Sequence, residues 1–319
     1  MEILAVVIPG IIIALVLSSW AHFANERPAL AILLYVVFGL GAFAIIGFGG
    51  LMIAFADQIS EEVDDVAVGA RAGYFMIAAG LAAGLPLLPP VRTLIAKLIP
   101  IDPKSIPDMV GLCIMLFVSV MMLWTIDLTF AGGDEEIASA SGIDLVMQAV
   151  LLVAVAFFAI GGAINRDLSS VRERLGLFTP TSRQVAISVA LIVPLFLASA
   201  LGGVLTEVFQ PGFTDDIDEI MGEMTGDLVN LQGALLIGLT AGIGEEILLR
   251  GAIQPRYGII FTSLVFTLIH VQYGFSFVLM GVFLSAVILG IQRRKMNTTC
   301  CIITHALYNF AAVMLSTLA

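Results

Sequence analysis

Residues 236–258 read LIGLTAGIGEEILLRGAIQPRYG. The stretch starts as a membrane span, then carries Glu245, Glu246 and Arg250 before a proline and a glycine end it. An ionisable side chain at the centre of a membrane helix costs about 2.5–3.5 kcal/mol on insertion scales. A chain keeps such groups where they pair or perform chemistry. Glu246 and Arg250 are four apart, so they share a helix face and can pair. Glu245 lies roughly 100° around the helix and has no partner within it. One acid therefore reads as structural and the other as available. The alternative is a single buried packing network of all three.

Working outward, the remainder is more apolar still. The 319 residues are 60% hydrophobic and 12% charged, with a mean hydropathy of +1.07. Soluble domains run about 45–50% apolar and about 25% charged. A soluble enzyme, a disordered protein and a disulfide scaffold are excluded. Ten apolar runs stand out, at about 3–23, 29–56, 67–88, 108–126, 143–164, 183–205, 231–254, 257–272, 275–292 and 298–318. The eighth is the shortest. Each is read as a helical span, because backbone in lipid must satisfy its own hydrogen bonds. The short alternating strands of a membrane barrel are absent. The fold class is all-α, a polytopic helical membrane protein of about ten transmembrane helices. Ile3 onward is read as a first span and not a cleaved signal, because no basic segment precedes it.

Thirteen of the fourteen basic residues fall in or beside odd-numbered connections, and only Arg71 falls in an even one. This asymmetry predicts cytoplasmic odd loops and both termini outside. The net charge of −11 argues against nucleic acid as a partner. The predicted outer connections are acidic: Asp57, Glu61, Glu62, Asp64 and Asp65 in one, six acids across 214–230 in another. In the latter, Ile217, Ile220, Met221, Met224 and Leu228 recur at helical spacing, which predicts an interfacial helix. Residues 166–182, RDLSSVRERLGLFTPTS, form the longest basic connection and a soft boundary. Cys113, Cys300 and Cys301 lie in or beside apolar runs and imply no disulfide framework.

Polar groups concentrate in the last four runs. His270 ends FTLIH, four residues after Phe266; His305 and Asn309 are four apart in HALYN. At 1.5 Å per residue, Glu245 lies about 15 Å from the Pro255 turn and His270 about 21 Å from Arg256, while His305 and Asn309 lie about 10 and 16 Å into their run. One slab near mid-membrane accommodates all four. A glutamate beside a histidine can deprotonate water, and a second histidine and an amide can donate to an oxyanion. A carboxylate with two histidines is also a zinc set, although no HExxH is present. No GxSxG supports a serine nucleophile.

Glu245-Glu246-Ile-Leu-Leu-Arg250, Phe266-Thr-Leu-Ile-His270 and His305-Ala-Leu-Tyr-Asn309 resemble, in order and spacing, the motifs of the CPBP family of intramembrane proteases, which is related to type II CAAX prenyl endopeptidases. The resemblance covers about residues 165–319. It implies a protease core of about six helices over 143–319, behind a four-helix N-terminal extension over 1–142. It implies Glu245 as the general base on water, with His270 holding that water. It further implies His305 and Asn309 as oxyanion donors, and Glu246 with Arg250 bracing the helix. It implies no cofactor, or zinc held by Glu245, His270 and His305 if the enzyme is metal-dependent. The implied partners are a membrane protein or a prenylated peptide, cut near the cytoplasmic face, and the bilayer itself. The rival readings are a non-catalytic scaffold or immunity protein, and a proton-coupled transporter.

Overall fold

The computed structural model describes residues 2–56, 66–130 and 139–317, and the described residues contain helices and no strand. The acidic stretch at 57–65 lies outside them. The chain divides into two compact units, Met1–Ser19 with Gly133–Ala319, and Trp20–Gly132.

Trp20–Gly132 holds α2 (Pro28–Ala54), α3 (Val66–Gly84), α4 (Pro89–Ile95) and α5 (Ile106–Thr129), after the end of α1 (Glu2–Ala24). Small residues bring α2 and α3 together. A Cβ on Gly49 would stand 2.6 Å from the Gly73 carbonyl oxygen, and one on Gly80 would stand 2.8 Å from that of Ala42. Packing of this closeness drives helix association where lipid removes the hydrophobic effect. Arg92 is buried on α4. Its guanidinium donates to the carbonyls of Pro86, Leu87 and Pro103 and to the Tyr35 hydroxyl.

The other unit contains α6 (Gly142–Ala159), α7 (Leu168–Leu175), α8 (Ser182–Ala190) running into α9 (Ile192–Phe209), and α10 (Phe213–Thr225). It continues through α11 (Leu231–Glu246), a π-helical segment Ile247–Ile253, α12 (Gln254–Tyr257), α13 (Ile259–Leu268), α14 (Val278–Lys295) and α15 (Thr298–Ser316). Polar caps fix the helix starts: Ser141 and Asp144 form a capping box on α6, Asn230 caps α11 and Asn297 caps α15. α10 is the amphipathic helix predicted from the apolar spacing. Ile217 is buried, while Asp215, Asp216, Asp218 and Glu219 are exposed.

Among the described residues, eight helical stretches are long and apolar enough to cross a membrane. Two of the ten predicted runs are not among them. The run at 257–272 yields only the ten-residue α13, about 15 Å of helix. The run at 275–292 yields α14, whose last turn is Arg293-Arg294-Lys295. The two still form one excursion. Gln254, just before α13, donates to the Gly290 carbonyl near the end of α14, and a Cβ on Gly290 would meet Ile259 at 2.7 Å. The start of α13 and the end of α14 thus lie side by side.

Candidate active site

The site forms where α11 meets α15. Gly238, Gly242 and Glu246 are spaced four apart and share one face of α11. A Cβ on Gly238 would stand 2.6 Å from the Ala306 carbonyl oxygen; one on Gly242 would stand 2.9 Å from Ala306 Cβ. This close seam delivers Glu246 to His305. His305 Nδ1 lies 2.9 Å from Glu246 Oε1, and Arg250 Nε lies 3.4 Å from Glu246 Oε2. All three residues are buried, Glu246 with no exposed surface at all. Arg250 Nη2 also donates to the Ala286 carbonyl of α14.

The Phe266 ring is the hub of the cluster. The Arg250 guanidinium stands 4.8 Å over it, the His270 ring 4.5 Å away and the His305 ring 6.0 Å away. Phe266 thus packs, and holds three polar groups from three segments around one apolar plate.

α13 stops inside the apolar region, so its last carbonyls need donors other than the next helical turn. His270 supplies one of them. Its Nδ1 lies 2.8 Å from the Phe266 carbonyl. A carbonyl only accepts, so Nδ1 carries the proton and the other ring nitrogen, Nε2, presents a lone pair. The ring of Tyr273 stacks parallel to His270 at 6.0 Å. Glu245 is half-buried, and its Oε2 is buried without a hydrogen-bond partner. Asn309, one turn beyond His305 on α15, is half-buried and stands outside the hydrogen-bonded set.

The Glu246–Arg250 pairing expected from their spacing is present, and Glu245 is the acid left over. The His305–Glu246 hydrogen bond is new. It joins residues 59 apart in sequence, and its signal was the stripe of Gly238 and Gly242 leading to Glu246. Among the described residues, no group of three His, Cys, Asp or Glu side chains is placed to hold a metal ion. Glu245, His270 and His305 are therefore not such a group; Nδ1 of His270 faces a carbonyl and Nδ1 of His305 faces Glu246, so Nε2 is the second ring nitrogen of each. Cys300 and Cys301 are buried free thiols.

An apolar groove of about 510 Å³ runs between α6 and α11, lined by residues that include Val146, Val150, Val153, Leu239 and Ile243.

No curated protein and no solved structure matches this chain. A family model does, and its span encloses Glu245, Glu246, Arg250, His270, His305 and Asn309. In this polytopic helical membrane protein, residues 228–311 match the model of the Rce1-like family, described as type II CAAX prenyl endopeptidase Rce1-like.

Proposed function

We propose that the chain is an intramembrane endopeptidase that cleaves a peptide bond near the cytoplasmic membrane face, with CAAX-type prenylated C-termini as a substrate class. The observation that carries this reading is the gathering of Arg250, His270 and His305 around Phe266, with Glu246 joined to Arg250 and His305 and a buried oxygen of Glu245 left unpartnered. The apolar groove beside α11 supports a substrate with a lipid chain.

In this reading Glu245 takes a proton from water as the water oxygen attacks the carbonyl carbon. His270 Nε2 accepts that water's other hydrogen and orients it. General-base assistance of this type contributes about 10²–10⁴-fold. The oxyanion receives hydrogen bonds from the Asn309 amide and from Nε2–H of a protonated His305, whose charge Glu246 compensates. An oxyanion donor is worth about 10²–10³-fold. The C–N bond then breaks, and the proton held on Glu245 passes to the leaving amine. In this reading the base, the water-orienting group and the oxyanion donors are all side chains. The basic connections lie in the cytoplasm and both termini outside. The out-and-back path of α13 and α14 preserves that parity.

The test is cleavage of a fluorescent farnesylated CAAX peptide by the purified full chain in detergent, with a zinc chelator present. The parent cleaves; Glu245→Gln and His270→Asn do not. Full activity in both variants overturns the assignment.

A further inference from the structure

The π-helical segment Ile247–Ile253 connects the two acids to the membrane edge, and its backbone bonding is incomplete. Gln254 N–H still reaches Leu249 O in the five-residue register. The next residue is Pro255, which has no N–H. The Arg250 carbonyl therefore loses its donor in the five-residue register, and the Gly251 carbonyl loses its donor in the four-residue register. In an apolar surrounding, an unmet carbonyl is costly unless another donor arrives.

Two arginines from elsewhere supply those donors. Arg293 Nε, at the end of α14, donates to Arg250 O at 3.2 Å. Arg174, in the last turn of α7, donates from Nη1 to Gly251 O at 2.9 Å and from Nη2 to Ala252 O at 3.3 Å. The fork of one guanidinium thus spans two consecutive carbonyls, a geometry that lysine lacks. α7 is itself fastened close by. The N–H of Thr298, at the start of α15, donates to Gly176 O at 3.0 Å, and its hydroxyl donates to Leu175 O. A side chain on Gly176, at φ +69°, would collide with Arg293. Leu175 packs against Gly251, where a Cβ would approach it to 3.1 Å.

We infer that Arg174 and Arg293 are positioning residues for the site: together they replace the hydrogen-bond donor that Pro255 lacks, hold the widened turn, and so fix Arg250 against Glu246 and Glu246 against His305. α7 lies outside the apolar runs, in the basic connection at 166–182, so a surface element sets the geometry of a buried cluster. The inference deepens the proteolytic reading and, for its effect on rate, rests on it.

The experiment compares the full chain with Arg174→Ala and Arg174→Lys in detergent, reading hydrogen exchange over residues 247–257 and, separately, kcat and KM. Arg174→Ala is expected to raise exchange at 247–257 and leave α5 unchanged. It is expected to lower kcat by about 10²-fold, as a misplacement near 1 Å can, with KM nearly constant. Arg174→Lys recovers part of the loss, because a point cation serves one carbonyl. In a Pro255→Ala background, whose new N–H serves one of the orphaned carbonyls, Arg174→Ala costs less. Unchanged exchange in Arg174→Ala, or an equal cost in both backgrounds, overturns the inference. Raised exchange in a chain whose parent cleaves nothing upholds the positioning role and removes the proteolytic reading alone.

Discussion

Gly238→Ala tests whether the seam between α11 and α15 sets the site. The added methyl would stand 2.6 Å from the Ala306 carbonyl oxygen. That atom is backbone and cannot rotate away. A relaxed carbon–oxygen contact is about 3.3 Å, so the helices must part by about 0.7 Å. The His305–Glu246 bond, now 2.9 Å, lies two turns further along the same face. Stretched by the same amount it reaches about 3.6 Å, beyond hydrogen-bond length. Overpacking costs about 1–3 kcal/mol, and a weakened bond to a buried charge adds about 1–2 kcal/mol. The expected total is about 2–5 kcal/mol. The assay is unfolding of the purified chain in mixed micelles titrated with a denaturing detergent, alongside peptide cleavage. Stability within about 0.5 kcal/mol of the parent, with undiminished cleavage, would refute the seam argument.

Other outcomes follow from the same contacts. Glu246→Ala strands Arg250 and His305, both buried, and is expected to cost about 3–5 kcal/mol in the same titration; a loss below about 1 kcal/mol would mean that the ion pair is not structural. Gln292→Leu removes an amide that donates to Ser188 Oγ, Thr304 Oγ1 and the Cys300 carbonyl. It is expected to cost about 1–3 kcal/mol and, through Thr304, to disturb His305; unchanged cleavage would show that the two are uncoupled. At the N-cap of α7, hydrogen bonds from Ser170 hold the Asp167 carboxyl below its ordinary pKa of 3.8. Its contribution to α7 is complete above that value and is lost as the pH falls through the lower, folded-state value. Exchange protection over 168–175 should fall in that acid range, and Asp167→Asn should flatten the dependence.

Much of this was legible in the residues alone. Long apolar runs name membrane helices because lipid leaves the backbone few other solutions, and the four-residue spacing of Glu246 and Arg250 named their pairing. Hydropathy failed at 257–272. An apolar stretch says nothing of where helical hydrogen bonding ends, and here Gly258 and His270 bracket only ten helical residues. The π segment was equally hidden, since a change from four- to five-residue bonding leaves the apolar pattern intact. The bond from His305 to Glu246 is a tertiary event, readable only through the two glycines that allow the approach. The donors on Gly251 and Ala252 come from Arg174, far back in the chain. A positive charge beside an apolar run is ordinarily assigned to the membrane surface.

The imidazole that ends α13 works on two fronts at once. One nitrogen closes a carbonyl that lipid could not satisfy, and the opposite nitrogen is thereby the one left with a lone pair. Truncating this side chain to alanine frays a helix end and removes that second nitrogen together, so inactivity in that variant says little about catalysis. Asparagine places an amide nitrogen where Nδ1 sits and has nothing at Nε2, which separates architecture from chemistry at a single position.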